Sequence, residues 1–197
     1  MLKKRYSVGL AVVGVVVISL ITAFFGPKLV EKETHCYAML SPVDTNSKDF
    51  SNVLESGCFD SFAESIQAAT DGKVLLDPKL DPKDLTEEMI NPEGASSIIA
   101  PDTITVIGID YKNASFGGSS YTWTITGVGC TDSISFGVGS MPSGWDNVVS
   151  SARSYANCNH YYHWENQHNS GVVLDCVTSC ATMGVMNDQT SSEQWHK

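Results

Sequence analysis

Two short segments near the C-terminus repeat one pattern of oxygen-bearing side chains. Each has two Asn or Asp residues (Asx), two intervening residues and two serines: Asp146-Asn147-Val148-Val149-Ser150-Ser151 and Asn187-Asp188-Gln189-Thr190-Ser191-Ser192. Carboxylate, amide, hydroxyl and backbone carbonyl oxygens are the ligands of calcium, a hard cation that takes 6–8 of them in loosely specified geometry. Asn, Asp and Ser also favour ordinary turns, but turn chemistry does not require the same six positions twice. The repeat therefore predicts calcium binding.

A second repeated pattern precedes each of these segments. An aromatic residue is followed, after four intervening residues, by a second fixed position and then, after one more residue, by a glycine. The fixed positions are Tyr111, Phe116 and Gly118 in one copy, and Trp164, Asn169 and Gly171 in the other. Asn169 replaces the second aromatic residue, which we expect to loosen the second hairpin. Because each hairpin pattern is followed by one Asx-Ser segment, the C-terminal half is an internal duplication of a unit of about 40–45 residues.

Residues 104–197 resemble a microbial βγ-crystallin domain. In that family each Greek-key motif opens with such a hairpin and later contributes a serine that packs over it, and calcium-binding members carry the same Asx-Ser pattern. The resemblance implies a mainly β sandwich of two Greek keys, with Ser151 and Ser192 in structural roles. It also implies that the two Asx-Ser loops lie side by side and exchange ligands around two calcium ions.

The expected calcium ligands are side chains and backbone carbonyls. Within each loop, two side chains can converge with one carbonyl, which gives the trios Asn147, Ser150 and Val148, and Asp188, Ser191 and Gln189. By resemblance, carbonyls near Lys112 and Glu165 complete the sites. Asp188 adds a carboxylate where Asn147 does not, so its site should bind more tightly. Few protein ligands predict dissociation constants of roughly 10⁻⁶–10⁻³ M.

The elements that position these residues are short strands. From Ile104 onward, aromatic and β-branched runs alternate with turn residues, as in SSYTWTIT, SISFGV and HYYHWEN. Such spacing predicts an all-β sandwich or barrel. Trp145 and Trp195 are expected in its core. His160 and His163 should point to opposite faces of one strand and so cannot bind one metal together.

Six cysteines in an exported chain predict three disulfides. Proximity and element order favour one of the possible pairings: Cys36–Cys58, Cys130–Cys158 and Cys176–Cys180. The alternative is zinc bound by the last pair together with His163 or His168, but that spacing is poor for a zinc knuckle.

Export is predicted from the N-terminus. Three basic residues precede an uncharged stretch at 8–25, so residues 1–27 are interpreted as a signal peptide or signal anchor. The protein is expected to be secreted, or else anchored at the cell surface by residues 8–25, its only expected membrane contact. With 22 acidic and 12 basic residues, the chain has a net charge of −10, which argues against nucleic-acid binding.

Residues 28–100 form an acidic region in which we expect little β structure and one helix. The helix is predicted at about 59–70, because Phe59, Phe62 and Ile66 share one face and Ser61-x-x-Glu64 matches a capping box. The chain then continues into a charged, proline-containing connector. The domain of the C-terminal half is predicted to begin at residue 101.

The sequence shows no catalytic motif with its structural context, so we expect no enzyme activity. The alternative function is inhibition of an extracellular peptidase, because some bacterial metalloproteinase inhibitors are similar to this fold. A rigid loop at residues 137–144 would enter the protease, and Pro142 would limit its freedom. A cell-surface partner of the acidic region is a further possibility.

Overall fold

The computed structural model describes residues 32–92 and 103–197. The predicted leader, residues 1–27, lies outside these residues. In the described part of the chain, no helix is long and apolar enough to cross a lipid bilayer.

The described N-terminal residues contain three strands and two short α-helices. A 3-10 turn at Pro82–Asp84 precedes the second helix. In chain order the elements are β1 (His35–Leu40), β2 (Val43–Asp44), β3 (Val53–Phe59), α1 (Phe62–Ala69) and α2 (Glu87–Ile90).

The expectation of little β structure before residue 100 was therefore wrong. Strand β1, with the sequence HCYAML, is almost wholly buried, so it lacks the alternation of apolar and polar residues that marks a strand with one solvated face.

Helix α1 confirms Ser61 as its N-cap, with the Glu64 carboxylate bonded to the Ser61 hydroxyl rather than to the Ser61 backbone N–H that a complete capping box uses. The Ser61 hydroxyl accepts a hydrogen bond from the Glu64 backbone N–H (3.3 Å) and donates one to the Glu64 carboxylate (2.8 Å). The helix begins at Phe62 rather than Phe59, because Phe59 is the last residue of β3. Phe62 and Ile66 are buried, as the helical spacing predicted.

Eight further strands form two successive four-strand motifs. The first motif contains β4 (Ile104–Asn113), β5 (Gly117–Thr126), β6 (Ile134–Val138) and β7 (Ser151–Ser154). The second contains β8 (His160–Asn166), β9 (Ser170–Asp175), β10 (Ser179–Cys180) and β11 (Ser192–His196).

The two motifs exchange their third strands. One sheet has the order β10-β7-β4-β5-β1-β3, and the other has the order β2-β6-β11-β8-β9. Strand β6 thus lies in the sheet of the second motif, and β10 in the sheet of the first. This exchange interlocks the motifs and confirms the predicted sandwich of two Greek keys. The N-terminal strands extend both sheets, with β1 parallel to β5 and β2 antiparallel to β6.

Strand β4 is buried on both faces. Its Ile107 packs into the core between the sheets, which includes Trp123, Tyr161 and Trp195. On the other face, a second apolar cluster joins the N-terminal segment to the sheet: Phe62, Ile66, Val74, Leu85, Ile90, Val106, Ile109, Tyr111, Phe116 and Tyr155. Lys32–Lys197 accordingly form one compact unit.

Three disulfides connect the elements. The cysteines pair as Cys36–Cys58, Cys130–Cys158 and Cys176–Cys180, which is the connectivity that proximity and element order favoured. The zinc alternative at the last pair is wrong, because those two sulfurs are bonded to each other. Trp145 and Trp195 are both buried in the core, as predicted.

Candidate functional site

The serine at the end of each Asx-Ser segment closes one hairpin. Ser151 Oγ donates to the carbonyl of Asn113 (2.6 Å) and accepts from the backbone N–H of Phe116 (2.9 Å). Ser192 Oγ makes the equivalent bonds, to the carbonyl of Asn166 (2.6 Å) and from the N–H of Asn169 (3.0 Å). A serine that packs over a folded hairpin, twice, is the feature that the family resemblance implied.

The two hairpins have the same backbone conformation at their turns, although their side chains differ. Ser115 and Phe116 have positive φ angles of 59° and 64°, and His168 and Asn169 have 58° and 54°. In the first hairpin the rings of Tyr111 and Phe116 meet edge to face at 5.8 Å. In the second, the Asn169 amide instead donates to the Gln194 side chain (3.1 Å). This hydrogen bond occupies the place of the missing ring contact.

The Asx-Ser segments lie side by side and form a pair of backbone hydrogen bonds. The N–H of Asn147 donates to the carbonyl of Thr190 (2.9 Å), and the N–H of Asp188 donates to the carbonyl of Val149 (3.0 Å). Asn147 and Asp188 both have left-handed φ angles, 58° and 54°. The two loops are therefore related by an approximate twofold arrangement.

Side chains cross from each loop to the other. Ser150 Oγ donates to Asp188 Oδ1 at 2.8 Å, and Ser191 Oγ donates to Asn147 Oδ1 at 3.3 Å. The trios expected within single loops are therefore not the groups that the structure joins by hydrogen bonds. Each serine faces the Asx residue of the other motif, so the loops lie side by side as the resemblance implied, while the exchange of calcium ligands stays a prediction. Both serines are 6% exposed, whereas Asn147 and Asp188 are exposed, so the oxygens form a rim that solvent ions can reach.

The remaining expected ligands lie next to these contacts along the chain. The N–H of Ser150 donates to the Tyr111 carbonyl (2.9 Å), and the N–H of Ser191 donates to the Trp164 carbonyl (2.8 Å). Lys112 and Glu165 are the residues that follow these two carbonyls, and Val148 and Gln189 follow the two Asx residues. The carbonyls of these four residues as calcium ligands stay a prediction.

The segment proposed as an inhibitory loop is attached at two points. The N–H of Met141 donates to the Ser191 carbonyl (2.9 Å), and the N–H of His168 donates to the Gly139 carbonyl (2.7 Å). Met141 is buried, while Ser143 and Gly144 are exposed at the tip.

A second group of polar side chains lies in the core, and sequence analysis missed it. Asp110 on β4, His163 on β8 and Glu193 on β11 are each 0% exposed, and one potential metal-ligand atom from each lies within 4.8 Å of the other two. Tyr161 OH lies 2.7 Å from Asp110 Oδ1 and 2.9 Å from Glu193 Oε2, and the Trp123 indole donates to Asp110 Oδ2 (2.7 Å).

Burial controls the protonation of this group. Desolvation raises the pKa of Glu193 to about 8 and holds the pKa of Asp110 well above its usual range. The same cause lowers the pKa of His163 to about 4, so the imidazole is neutral at neutral pH. Although His163 Nδ1 lies 3.0 Å from Glu193 Oε1, this contact is therefore not a salt bridge between two charged groups.

The prediction for the two histidines of β8 agrees with the burial pattern. His163 points into the core, while His160 is partly exposed and its Nδ1 lies 2.7 Å from Asp175 Oδ2. They face opposite sides of the sheet and cannot share a metal.

The strand exchange and the serine-closed hairpins together define a βγ-crystallin fold. Two solved structures are similar to this chain. A βγ-crystallin from an archaeon is 15% identical, with 46% of this chain and 96% of that chain covered and a TM-score of 0.34. A structure from work on the evolution of the eye-lens βγ-crystallin domain fold is 21% identical, with 50% and 88% covered and a TM-score of 0.33.

No protein-family model matches the sequence. No curated protein matches it significantly.

Proposed function

We propose that this chain is an exported, non-catalytic calcium-binding protein with a βγ-crystallin fold. The observation that carries the proposal is the crossing of side chains between the two Asx-Ser loops. It brings an Asx oxygen and a serine hydroxyl together twice, at an accessible rim. Calcium suits such oxygen-rich turns, because it accepts mixed carboxylate, amide, hydroxyl and carbonyl ligands.

The two sites should differ in affinity. One combines Ser150 with the carboxylate of Asp188, and the other combines Ser191 with the neutral amide of Asn147. A formal negative charge next to a divalent cation strengthens binding, so the first site should fill at lower calcium concentration. Both sites should be weak enough to respond to extracellular calcium. Calcium-binding modules of extracellular proteins have dissociation constants of roughly 10⁻⁴–10⁻³ M.

Three disulfides support an oxidising destination outside the cytoplasm. In such a compartment the bound ions and the disulfides would stabilise the same sandwich. Calcium at 100 times its dissociation constant would add about 2.7 kcal/mol to the free energy of unfolding.

Calorimetric titration of the chelator-treated protein tests the proposal. We expect two binding events, and Asp188→Asn should remove or weaken the tighter one. Asp146→Asn is the matched control, because it makes the same change of charge at an exposed position that is not an expected ligand. A melting temperature that is the same in excess chelator and in millimolar calcium would contradict the proposal.

Peptidase inhibition by residues 137–144 is the alternative. The two backbone anchors at Gly139 and Met141 favour it, since they fix the middle of the loop and leave Ser143 and Gly144 exposed. Stoichiometric inhibition of a thermolysin-like protease by protein that shows no calcium binding would support this alternative over the calcium proposal.

A further inference from the structure

The core between the sheets contains three ionisable side chains that no hydrogen-bond network fully satisfies. Asp110 belongs to one sheet, and His163 and Glu193 belong to the other. All three are completely buried, although charged and imidazole groups are costly to place in an apolar interior without partners. Their convergence between two sheets therefore calls for a physical explanation.

Hydrogen bonds account for only part of the cluster. Asp110 receives the Trp123 indole N–H, and Tyr161 OH lies within reach of both Asp110 and Glu193. The tyrosine has one proton and can donate it to one carboxylate at a time. Three further atoms have no hydrogen-bond partner: His163 Nδ1, His163 Nε2 and Glu193 Oε1.

The relative orientation of His163 and Glu193 is informative. His163 Nδ1 and Glu193 Oε1 are 3.0 Å apart, yet neither atom has a hydrogen-bond partner, because the alignment is outside the range of a hydrogen bond. Two polar atoms this close that do not point at each other have the arrangement of two ligands directed at a common third point. Asp110 supplies a potential ligand atom within 4.8 Å of both.

The charge of the cluster matches a divalent cation. In the described residues, no Lys or Arg side chain forms an ion pair with Asp110 or Glu193, so the two carboxylates have no permanent positive partner. On binding, one divalent ion would displace the protons that burial favours on both carboxyl groups, neutralise the resulting carboxylates and bind the unpartnered imidazole nitrogen. Buried charges are stable when they are paired in this way or coordinate a metal.

We propose that Asp110, His163 and Glu193 form a buried structural site for a divalent transition-metal ion, foremost Zn²⁺. Imidazole nitrogen with carboxylate oxygen suits zinc, whereas calcium takes oxygen ligands only and requires 6–8 of them. Ligand distances of about 2.0–2.2 Å require the three side chains to adjust their positions around the ion. The Tyr161 hydroxyl, which lies 2.7 Å from Asp110 Oδ1 and 2.9 Å from Glu193 Oε2, would orient both carboxyl groups as an outer-shell partner.

The role of such an ion is to join the two sheets. The site is separate from the calcium loops and does not depend on the proposed calcium function. Because solvent does not reach the cluster, the metal must enter during folding, and binding free energy becomes folding free energy.

Metal content after refolding tests the site. The purified protein, with its disulfides intact, is unfolded in guanidinium chloride and refolded with Zn²⁺ or with chelator. It is then desalted and analysed by mass spectrometry for bound metal. We expect one zinc ion per chain and a higher melting temperature for the zinc-refolded protein. Glu193→Gln keeps the shape of the side chain, and its loss of zinc affinity should be at least as large as the roughly 10–100-fold that an outer-shell change costs.

A matched control separates this site from surface binding. His160→Gln removes the partly exposed histidine of the same strand, which pairs with Asp175, and should leave the zinc content unchanged. His163→Gln should abolish zinc retention. If that variant does not fold, X-ray absorption of the zinc-refolded wild type decides the question, since the site requires one imidazole with oxygen ligands.

Three results would overturn the proposal: wild-type protein that refolds without retaining zinc, zinc bound by Glu193→Gln with the affinity of the wild type, or a zinc spectrum with sulfur or several imidazoles. The first result would mean that protons, rather than a metal, neutralise the two carboxylates.

Discussion

The serine that closes the first hairpin gives a sharp stability prediction. Ser151→Ala removes two hydrogen bonds, of 2.6 Å and 2.9 Å, from a fully buried hydroxyl. The Asn113 carbonyl lies at an exposed residue and can accept from water instead, but the N–H of buried Phe116 loses its partner. A lost hydrogen bond costs about 1 kcal/mol and a stranded buried donor about 1–3 kcal/mol, so the free energy of unfolding should fall by about 2–4 kcal/mol.

Urea unfolding of the disulfide-intact protein measures this loss as a shift of the transition midpoint at constant slope. For a chain of this size the melting temperature should fall by roughly 5–15 °C. Ser170→Ala is the matched control, because its hydroxyl donates to the Gln167 carbonyl (2.9 Å) at an exposed position. That variant should stay within about 0.5 kcal/mol of the wild type. If Ser151→Ala were equally neutral, the hairpin would not depend on the serine, and the reasoning would be refuted.

Two further predictions concern the sheets. Gly108→Ala places a Cβ 2.5 Å from the indole nitrogen of Trp195, whose ring is completely buried. We therefore expect the free energy of unfolding, measured in urea, to fall by about 1–3 kcal/mol. Gly117→Ala is the control and should be nearly neutral, because its Cβ meets nothing closer than 3.8 Å. Equal stability of the two glycine variants would contradict this packing argument. Burial lowers the pKa of His35 in the folded state. Below the unfolded pKa of about 6.5, the unfolded state therefore binds a proton that the folded state does not. The free energy of unfolding should decrease as the pH falls through that region. Denaturant titrations across this pH range should show a smaller decrease in the free energy of unfolding for His35→Gln than for the wild type. The same dependence of that free energy on pH in both proteins would contradict the role given to His35.

The fold could be predicted because its information is repeated along the chain. Either hairpin pattern alone is weak, but two copies, each followed by an Asx-Ser segment, carry the resemblance that predicts two Greek-key motifs and the structural role of Ser151 and Ser192. Helix α1 could be predicted because the contacts of its N-cap, between Ser61 and Glu64, are local. Each of these features depends on residues that are close in sequence or are repeated.

The N-terminal strands could not be predicted by the same reasoning. Strand β1 is buried between β5 and β3, and the periodicity that distinguishes a strand from a loop is absent in such a short apolar run. Its place in the sheet is determined by pairing with Ser120–Ile125, far away along the chain.

The core cluster escaped prediction for a related reason. Asp110, His163 and Glu193 belong to three strands in two sheets, and no spacing rule brings them together. The sequence does carry one signal, since Asp110 is the only charged residue in the apolar run ITVIGIDY. An acid in a strand that is buried on both faces must have a partner inside the protein.

The N-terminal segment is an integral part of the sandwich rather than an attachment to it. It covers Val106, Ile109 and Tyr111 on the outer face of β4, each 0% exposed, and burial of the two aliphatic side chains contributes roughly 1.5–3 kcal/mol apiece. The Asn91 side chain bonds to both the N–H and the carbonyl of Val106, at 2.9 Å each.

Arg153 of β7 fixes the connector from the other side. Its guanidinium donates to the carbonyls of Lys83 (2.8 Å) and Leu85 (2.9 Å) and lies 3.7 Å above the Phe116 ring. The N–H of Phe116 donates to Ser151, and Ser151 directly follows Ser150, which belongs to the proposed calcium rim. Direct contacts thus link the connector at Lys83 and Leu85 to the first hairpin, and the first hairpin to the proposed calcium rim. Loss of the N-terminal segment should therefore disturb the proposed calcium rim in two ways: through the Phe116 hairpin, and through the apolar surface that the loss exposes.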